Sequence, residues 1–211
     1  GAHADGQMYL QMDAGEEVFG CILCGGSADE RNIHYIESGG ALSEDCIKEQ
    51  IEKLLLSEKM SVSVFDVKND YEDMISAEND RNLSSHALTK QLFDCKIAAY
   101  LINPLKSDYE ITDVADEYLN IELPKWSDLF GKADLDSAFR DRREECLSYL
   151  VKEAYILYKA KPLLEEALGQ NNMDRLFREL EMPLSYVLFD MEREGILVKP
   201  EELKAYGEVL G

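Results

Sequence analysis

Short apolar runs and turn-forming residues alternate through the first forty positions. Met8 to Met12 (MYLQM) and Val18 to Cys24 (VFGCILC) read as strands on either side of Asp13-Ala14-Gly15-Glu16-Glu17. Asn32 to Ile36 (NIHYI) is a third, closed by Ser38-Gly39-Gly40, so the opening predicts an antiparallel meander. The period then changes. Ser43 is a good N-cap, and Ile47, Ile51, Leu54 and Leu55 recur at helical spacing through Leu56. Met60 to Phe65 (MSVSVF) alternates again and is rich in β-branched residues, which predicts a strand. After Asp66-Val67-Lys68-Asn69-Asp70 come a short helix through Met74, a helical stretch from Ser84 and a helix over Phe93 to Ile102, closed by Asn103-Pro104.

Beyond this point the pattern is helical. Thr112 caps a short helix through Leu119, and Pro124 to Asp134 reads as a loop carrying the single tryptophan, Trp126. Ser137 to Leu168 is a long helical region whose face of Leu147, Leu150, Val151, Ala154 and Leu157 fits the 3.6-residue period. Pro162 is expected to kink or split it. A last helix with Leu176, Leu180, Leu184, Val187, Leu188 and Met191 on one side ends at Gly195, a C-cap. Pro200-Glu201-Glu202 looks like the first turn of another, as expected of a piece of a larger protein. Strands first and helices afterwards predict an α/β fold with a mixed sheet flanked by helices. Gly1 to Gln7 is expected to be an unstructured end or a tag remnant.

Composition narrows the function classes. Hydrophobic residues make up 45% and charged residues 31%, which is ordinary for a globular protein. No apolar run approaches the roughly 20 residues needed to span a bilayer, and no secretory signal opens the chain; a cytoplasmic location without membrane contact is the default expectation. Acidic residues outnumber basic ones 43 to 22, giving a net charge of −21. A fragment so charged lacks the basic stripe that displaces counterions from DNA, and nucleic-acid contact by the fragment alone is expected to be weak or absent. The cysteines are Cys21, Cys24, Cys46, Cys95 and Cys146. Cys21 and Cys24 form a C-x-x-C, but on a strand rather than at a helix N-terminus, and no second ligand pair completes a zinc site. Buried inert thiols are the expectation.

Two stretches carry a family resemblance. Glu181-Met182-Pro183-Leu184, Val187-Leu188, Met191-Glu192, Gly195-Ile196 and Val198 resemble the segment joining exonuclease and polymerase domains in bacterial DNA polymerase I, a family A DNA polymerase, with Lys199-Pro200 departing from its usual aspartate. Upstream, Phe93-Asp94, Ala99-Tyr100-Leu101 and Asn103-Pro104 are similar to the family's FD-x₄-AYLL-x-P helix. Asp113-Val114-Ala115, Tyr118-Leu119 and Phe130-Gly131-Lys132 follow suit. The resemblance implies a ribonuclease H-like 3′–5′ exonuclease domain over residues 8–170 and the first helices of the polymerase domain over 171–211.

That family holds two divalent metals with carboxylates, one ion activating water and the other stabilising the leaving oxygen. Its first motif, Asp-x-Glu, falls on Met12-Asp13-Ala14, where neither acid is in place; Asp13 is one residue out and so points to the opposite strand face. Asp70 falls on the middle aspartate, and Tyr149 with Glu153 on the Tyr-x-x-x-Asp of a late helix, where the two share a face. The added methylene of Glu153 and the neighbouring Lys152 both disfavour a cation there. The resemblance thus implies a degenerate, inactive exonuclease domain with no cofactor, its remnants Asp70, Tyr149 and Glu153, bracing the polymerase domain of the same chain. DNA is then a partner through the parent enzyme. On this reading Asp70 and Glu153 are expected to be surface carboxylates and Tyr149 a half-buried aromatic. Two alternatives stand. One is an active exonuclease using Mg²⁺ or Mn²⁺ through rearranged ligands Asp13, Asp70 and Glu153, with Glu16 a further acid. The other is an acidic module docking a basic protein.

Overall fold

The computed structural model describes residues 5–10, 20–26, 31–74, 92–106, 108–195 and 206–207. The meander is β1 (Asp5–Leu10), β2 (Gly20–Gly26) and β3 (Arg31–Glu37), antiparallel in that order. Its register pairs Asp5 with Gly26 and Cys21 with Ile36. The first strand thus begins at Asp5, inside the stretch expected to be an unstructured end. Two further strands, β4 (Val62–Val64) and β5 (Leu92–Asp94), pair in parallel, with Val64 opposite Asp94. All residues of both are buried, as fits parallel strands covered on both faces. Since β1 lies beside β4, the spatial sequence is β3, β2, β1, β4, β5. The turn of Asp13 to Glu17, the helical stretch from Ser84 as far as residue 91 and the Pro200 turn lie outside the described residues.

Helix α1 (Glu44–Leu55) starts as read, with the Ser43 hydroxyl accepting from the Cys46 N–H at 3.2 Å. Helix α2 (Val67–Met74) follows β4. The stretch expected to be one helix from Phe93 is divided. Phe93 and Asp94 close β5, and α3 runs from Cys95 to Ile102. Phe93 is buried against Phe177, with ring centroids 4.8 Å apart, which holds it in the sheet. Helix α4 (Ile111–Leu119) is capped from Glu110 rather than Thr112, and the Glu110 N–H donates to Asp113 Oδ2 at 2.8 Å. The expected loop around Trp126 contains α5 (Trp126–Phe130), in which Trp126 stacks on Phe130 at 4.3 Å and donates from Nε1 to the Ala133 carbonyl.

Helix α6 (Leu135–Asp141) and helix α7 (Arg143–Gln170) replace the single long helix. The break falls at Arg142 (φ −139°, ψ 50°), and α7 runs unbroken through Pro162. An interior proline costs about 3 kcal/mol, but Leu157, Ala160, Leu164 and Leu168 on both sides of it are buried and hold the helix together. The last helical segment has a short α8 (Asp174–Leu176), a π-helical turn (Phe177–Glu181) and α9 (Met182–Glu194), ending at Gly195 with φ 69°. Its inner face is aromatic: Tyr71 of α2 meets Tyr186 and Phe189 edge-on at 5.1 and 4.7 Å. These residues belong to the same core as β4 and β5, so no gap in packing marks residue 171. The aliphatic residues expected on one side of this helix lie outward, from Leu176 at 37% exposed to Met191 at 63%. Periodicity could not choose between the two apolar faces; the ring partners on α2 and β5 do.

Candidate functional site

The parallel strands bring two helix starts to one carboxylate. Asp94 is 1% exposed and ends β5. Its Oδ2 accepts from the Val67 N–H at 2.7 Å, and its Oδ1 from those of Asp66 (3.3 Å), Lys96 (2.8 Å) and Ile97 (3.1 Å). One side chain therefore caps both α2 and α3. Burial pushes its pKa up to about 6, against the pull of those N–H donors. Asp66 sits at φ 68°, a left-handed conformation that aspartate tolerates better than most residues. Its Oδ2 accepts from Asn69 Nδ2 and from Lys96 Nζ, each at 2.9 Å.

Beside this hub is a cleft of about 470 Å³ whose walls include Phe65, Lys96, Asp108, Trp126, Tyr149 and Glu153. Tyr149 and Glu153 stand one turn apart on α7 and are 4% and 5% exposed. Both are thus more deeply buried than the sequence led us to expect, because α5 folds over them: Trp126 meets the Tyr149 ring edge-on at 5.5 Å. Burial, then the Glu153 charge and its hydrogen bond, push the Tyr149 hydroxyl well above its ordinary pKa, so it stays protonated and donates to Glu153. The Lys96 ammonium lies 2.9 Å from Asp66 and 3.3 Å from Asp108. Burial alone would lower its pKa, but the two carboxylates outweigh that and raise it. At the rim, Lys125 pairs with Glu110 at 2.7 Å.

Of the sequence-mapped residues, the cleft brings together Tyr149 and Glu153. Asp70 stands half-buried in the first turn of α2, outside the cleft walls. Asp13 and Glu16 lie outside the described residues. Among the described residues, no three His, Cys, Asp or Glu side chains converge as metal ligands. Sequence reasoning missed Asp66, Lys96 and Asp108. Their ammonium–carboxylate cluster joins three separate segments and has no local pattern. Asp94 had a signal, the Phe93-Asp94 pair, which was read as the start of a helix. The thiols are free; Cys21, Cys24, Cys95 and Cys146 are buried, and burial pushes Cys21 and Cys146 up to about 11.

No family model matches the chain. It is 34% identical over 120 residues to DNA polymerase I of Bacillus subtilis, covering 56% of this chain and 13% of that protein. DNA polymerase I of Streptococcus pneumoniae is also 34% identical, over 111 residues. The relatives of this chain are bacterial DNA polymerases I. The likeness extends to 98% of the chain in DNA polymerase I of Lactococcus lactis, at 26% identity and 24% of that protein's length. The chain spans about an eighth of the length of the Bacillus subtilis and Streptococcus pneumoniae proteins, 13% and 12%. Among solved structures, Brucella melitensis NrnC bound to pGG matches with a TM-score of 0.54 and 16% identity, over 93% of this chain and 90% of that one; the likeness is one of fold. No helix among the described residues is long and apolar enough to cross a membrane.

Proposed function

We propose that this chain is the exonuclease-like part of a bacterial DNA polymerase I, with a ribonuclease H-like arrangement, that has lost nuclease chemistry and braces the polymerase domain. The observation that carries this reading is the Lys96 ammonium in the cleft, held by Asp66 and Asp108. Asp108 in the cleft wall and Asp66 behind Lys96 are both committed to that ammonium, whereas two-metal hydrolysis needs carboxylate oxygens free for divalent ions. The sequence adds Met12 and Ala14 in place of the first acidic pair. The strand sequence β3, β2, β1, β4, β5 supports the ribonuclease H-like arrangement. The bracing role is supported by the outward aliphatic stripe of Leu180, Leu184, Leu188 and Met191, which an adjoining domain would cover. On this reading the fragment needs no cofactor, and DNA is met through the parent enzyme.

One observation favours a working exonuclease instead: Tyr149 and Glu153 are buried together in a cleft rather than dispersed on the surface. A 3′-labelled single-stranded oligonucleotide incubated with the protein and Mn²⁺, beside an Asp70→Ala version, separates the two. No shortening above background in either is expected. Shortening that Asp70→Ala abolishes would overturn the proposal and restore proofreading with unusual ligands.

A further inference from the structure

A second, smaller pocket of about 160 Å³ lies between the start of β4 and the later turns of α7, its walls including Ser61, Ser63, Tyr158, Lys159, Lys161 and Glu165. Ser61 and Ser63 alternate with the buried Val62 and Val64, so they project from one face of the strand. Tyr158, Lys161 and Glu165 follow at helical spacing on the facing side. Lys161 is 8% exposed and Ser63 is 1% exposed. Neither the Lys161 ammonium nor the Ser63 hydroxyl has a hydrogen bond or ion pair with another described residue. Lys161 lines the pocket while most of its side chain is buried, so an anion entering there would meet a poorly hydrated ammonium.

The chemistry of the walls selects what completes it. Lys159 and Lys161 supply two ammonium groups, and Ser61 and Ser63 two hydroxyl donors. Among these walls the one carboxylate, Glu165, is shared with Arg178 at 3.3 Å, so cationic and donor groups outnumber it. Tyr158 spends its proton on the Gly26 carbonyl at 3.2 Å and so adds no donor. Lysine with hydroxyl donors around a small volume suits a tetrahedral oxyanion, since charge-assisted hydrogen bonds are the strong ones. We propose that this pocket binds a single phosphate group, with Lys161 as its main ligand. The phosphate is either free in solution or the terminal phosphate of an oligonucleotide. The site is separate from the Tyr149–Glu153 cleft, and the proposal does not depend on whether that cleft is catalytic.

The test is titration of the ¹⁵N-labelled 211-residue protein with inorganic phosphate at constant ionic strength, followed by amide shifts. Saturable shifts at Ser61–Ser63 and Tyr158–Glu165 are expected, with a Kd of about 1 mM or tighter. Lys161→Met should weaken binding by about tenfold or more, and Lys132→Gln, at an exposed lysine outside the pocket, should not. If Lys161→Met does not fold, Ser63→Ala reads the same site with a loss of about threefold or more. Competition by a 5′-phosphorylated thymidine tetranucleotide, but not by its unphosphorylated form, assigns the phosphate to nucleic acid. Binding of inorganic phosphate without that competition assigns it to a free anion. Shifts that do not saturate, that chloride reproduces or that survive in both variants would mean that the pocket holds only water around a hydrated lysine, and the proposal fails.

Discussion

Replacing Asp94 by alanine removes the acceptor of four backbone N–H groups at once: those of Asp66, Val67, Lys96 and Ile97. A buried donor left unsatisfied costs about 1–3 kcal/mol; at about 1.5 each, the four sum to about 6 kcal/mol. An opposing term exists. Asp94 is 1% exposed, and burial raises its pKa from 3.8 to about 6. Even with those donors in place the ionised form is thus carried into the fold about 3 kcal/mol less favourably at pH 7 than the protonated one, at about 1.4 kcal/mol per pKa unit, so the loss on going to alanine is well below the sum of the four bonds. The net loss expected at pH 7 is about 3 kcal/mol. The sign with pH follows from the raised folded pKa. The contribution of Asp94 is fully present below the unfolded value near 3.8 and is lost as pH rises through about 6. The wild-type protein thus gains on the alanine variant as pH falls from 7 to 5, by about 1 kcal/mol. Urea unfolding at 25 °C and both pH values, read by circular dichroism with unchanged m-values, measures both quantities. A loss below about 1 kcal/mol at pH 7, or one that grows with rising pH, would refute the double-cap account.

Three further outcomes are expected. Pro162→Ala should raise stability by about 1–3 kcal/mol in urea unfolding, since it restores a donor toward the Tyr158 carbonyl within a continuous α7; destabilisation would mean that the proline ring packs usefully. Leu184→Glu and Leu188→Glu, both at 41% exposed, should shift the stability of this fragment by no more than about 0.5 kcal/mol. Phe189→Ala, on the inner face of the same helix, should cost about 3–5 kcal/mol, and similar losses on both faces would contradict the assigned orientation. In the native protein, iodoacetamide at pH 8 should label Cys46, which is half-buried, and spare Cys21, Cys24, Cys95 and Cys146 until the chain is unfolded; early modification of the others would contradict their burial.

Where a local signal and the tertiary contacts agreed, the sequence was a good guide. Ser43 with Ile47, Ile51 and Leu55 marks α1, because capping and amphipathic period coincide there. The meander was legible from its short apolar runs and turns; the Tyr149–Glu153 pair came from the family resemblance, and helical spacing only put the two on one face. Phe93 and Asp94 misled because a three-residue strand buried on both faces has no period of its own, and the following apolar helix absorbed it. Trp126 was read as a loop residue because α5 is a five-residue helix held by ring stacking rather than by propensity. Pro162 suggested a break on local grounds that burial overrode. The Lys96 cluster joins the β4–α2 turn, α3 and the segment before α4, and only the folded chain brings these together.

The π-helical turn sets a phase. It gives the C-terminal segment one residue more per turn than an α-helix, and the inward residues Phe177 and Met182 are accordingly five apart before the usual spacing returns at Tyr186 and Phe189. One residue fewer there would rotate everything after it by about 100°. Tyr186 and Phe189 would then leave Tyr71, and part of the aliphatic stripe would turn toward it. A single inserted residue thus decides which apolar face is kept for this domain's own core and which is turned outward.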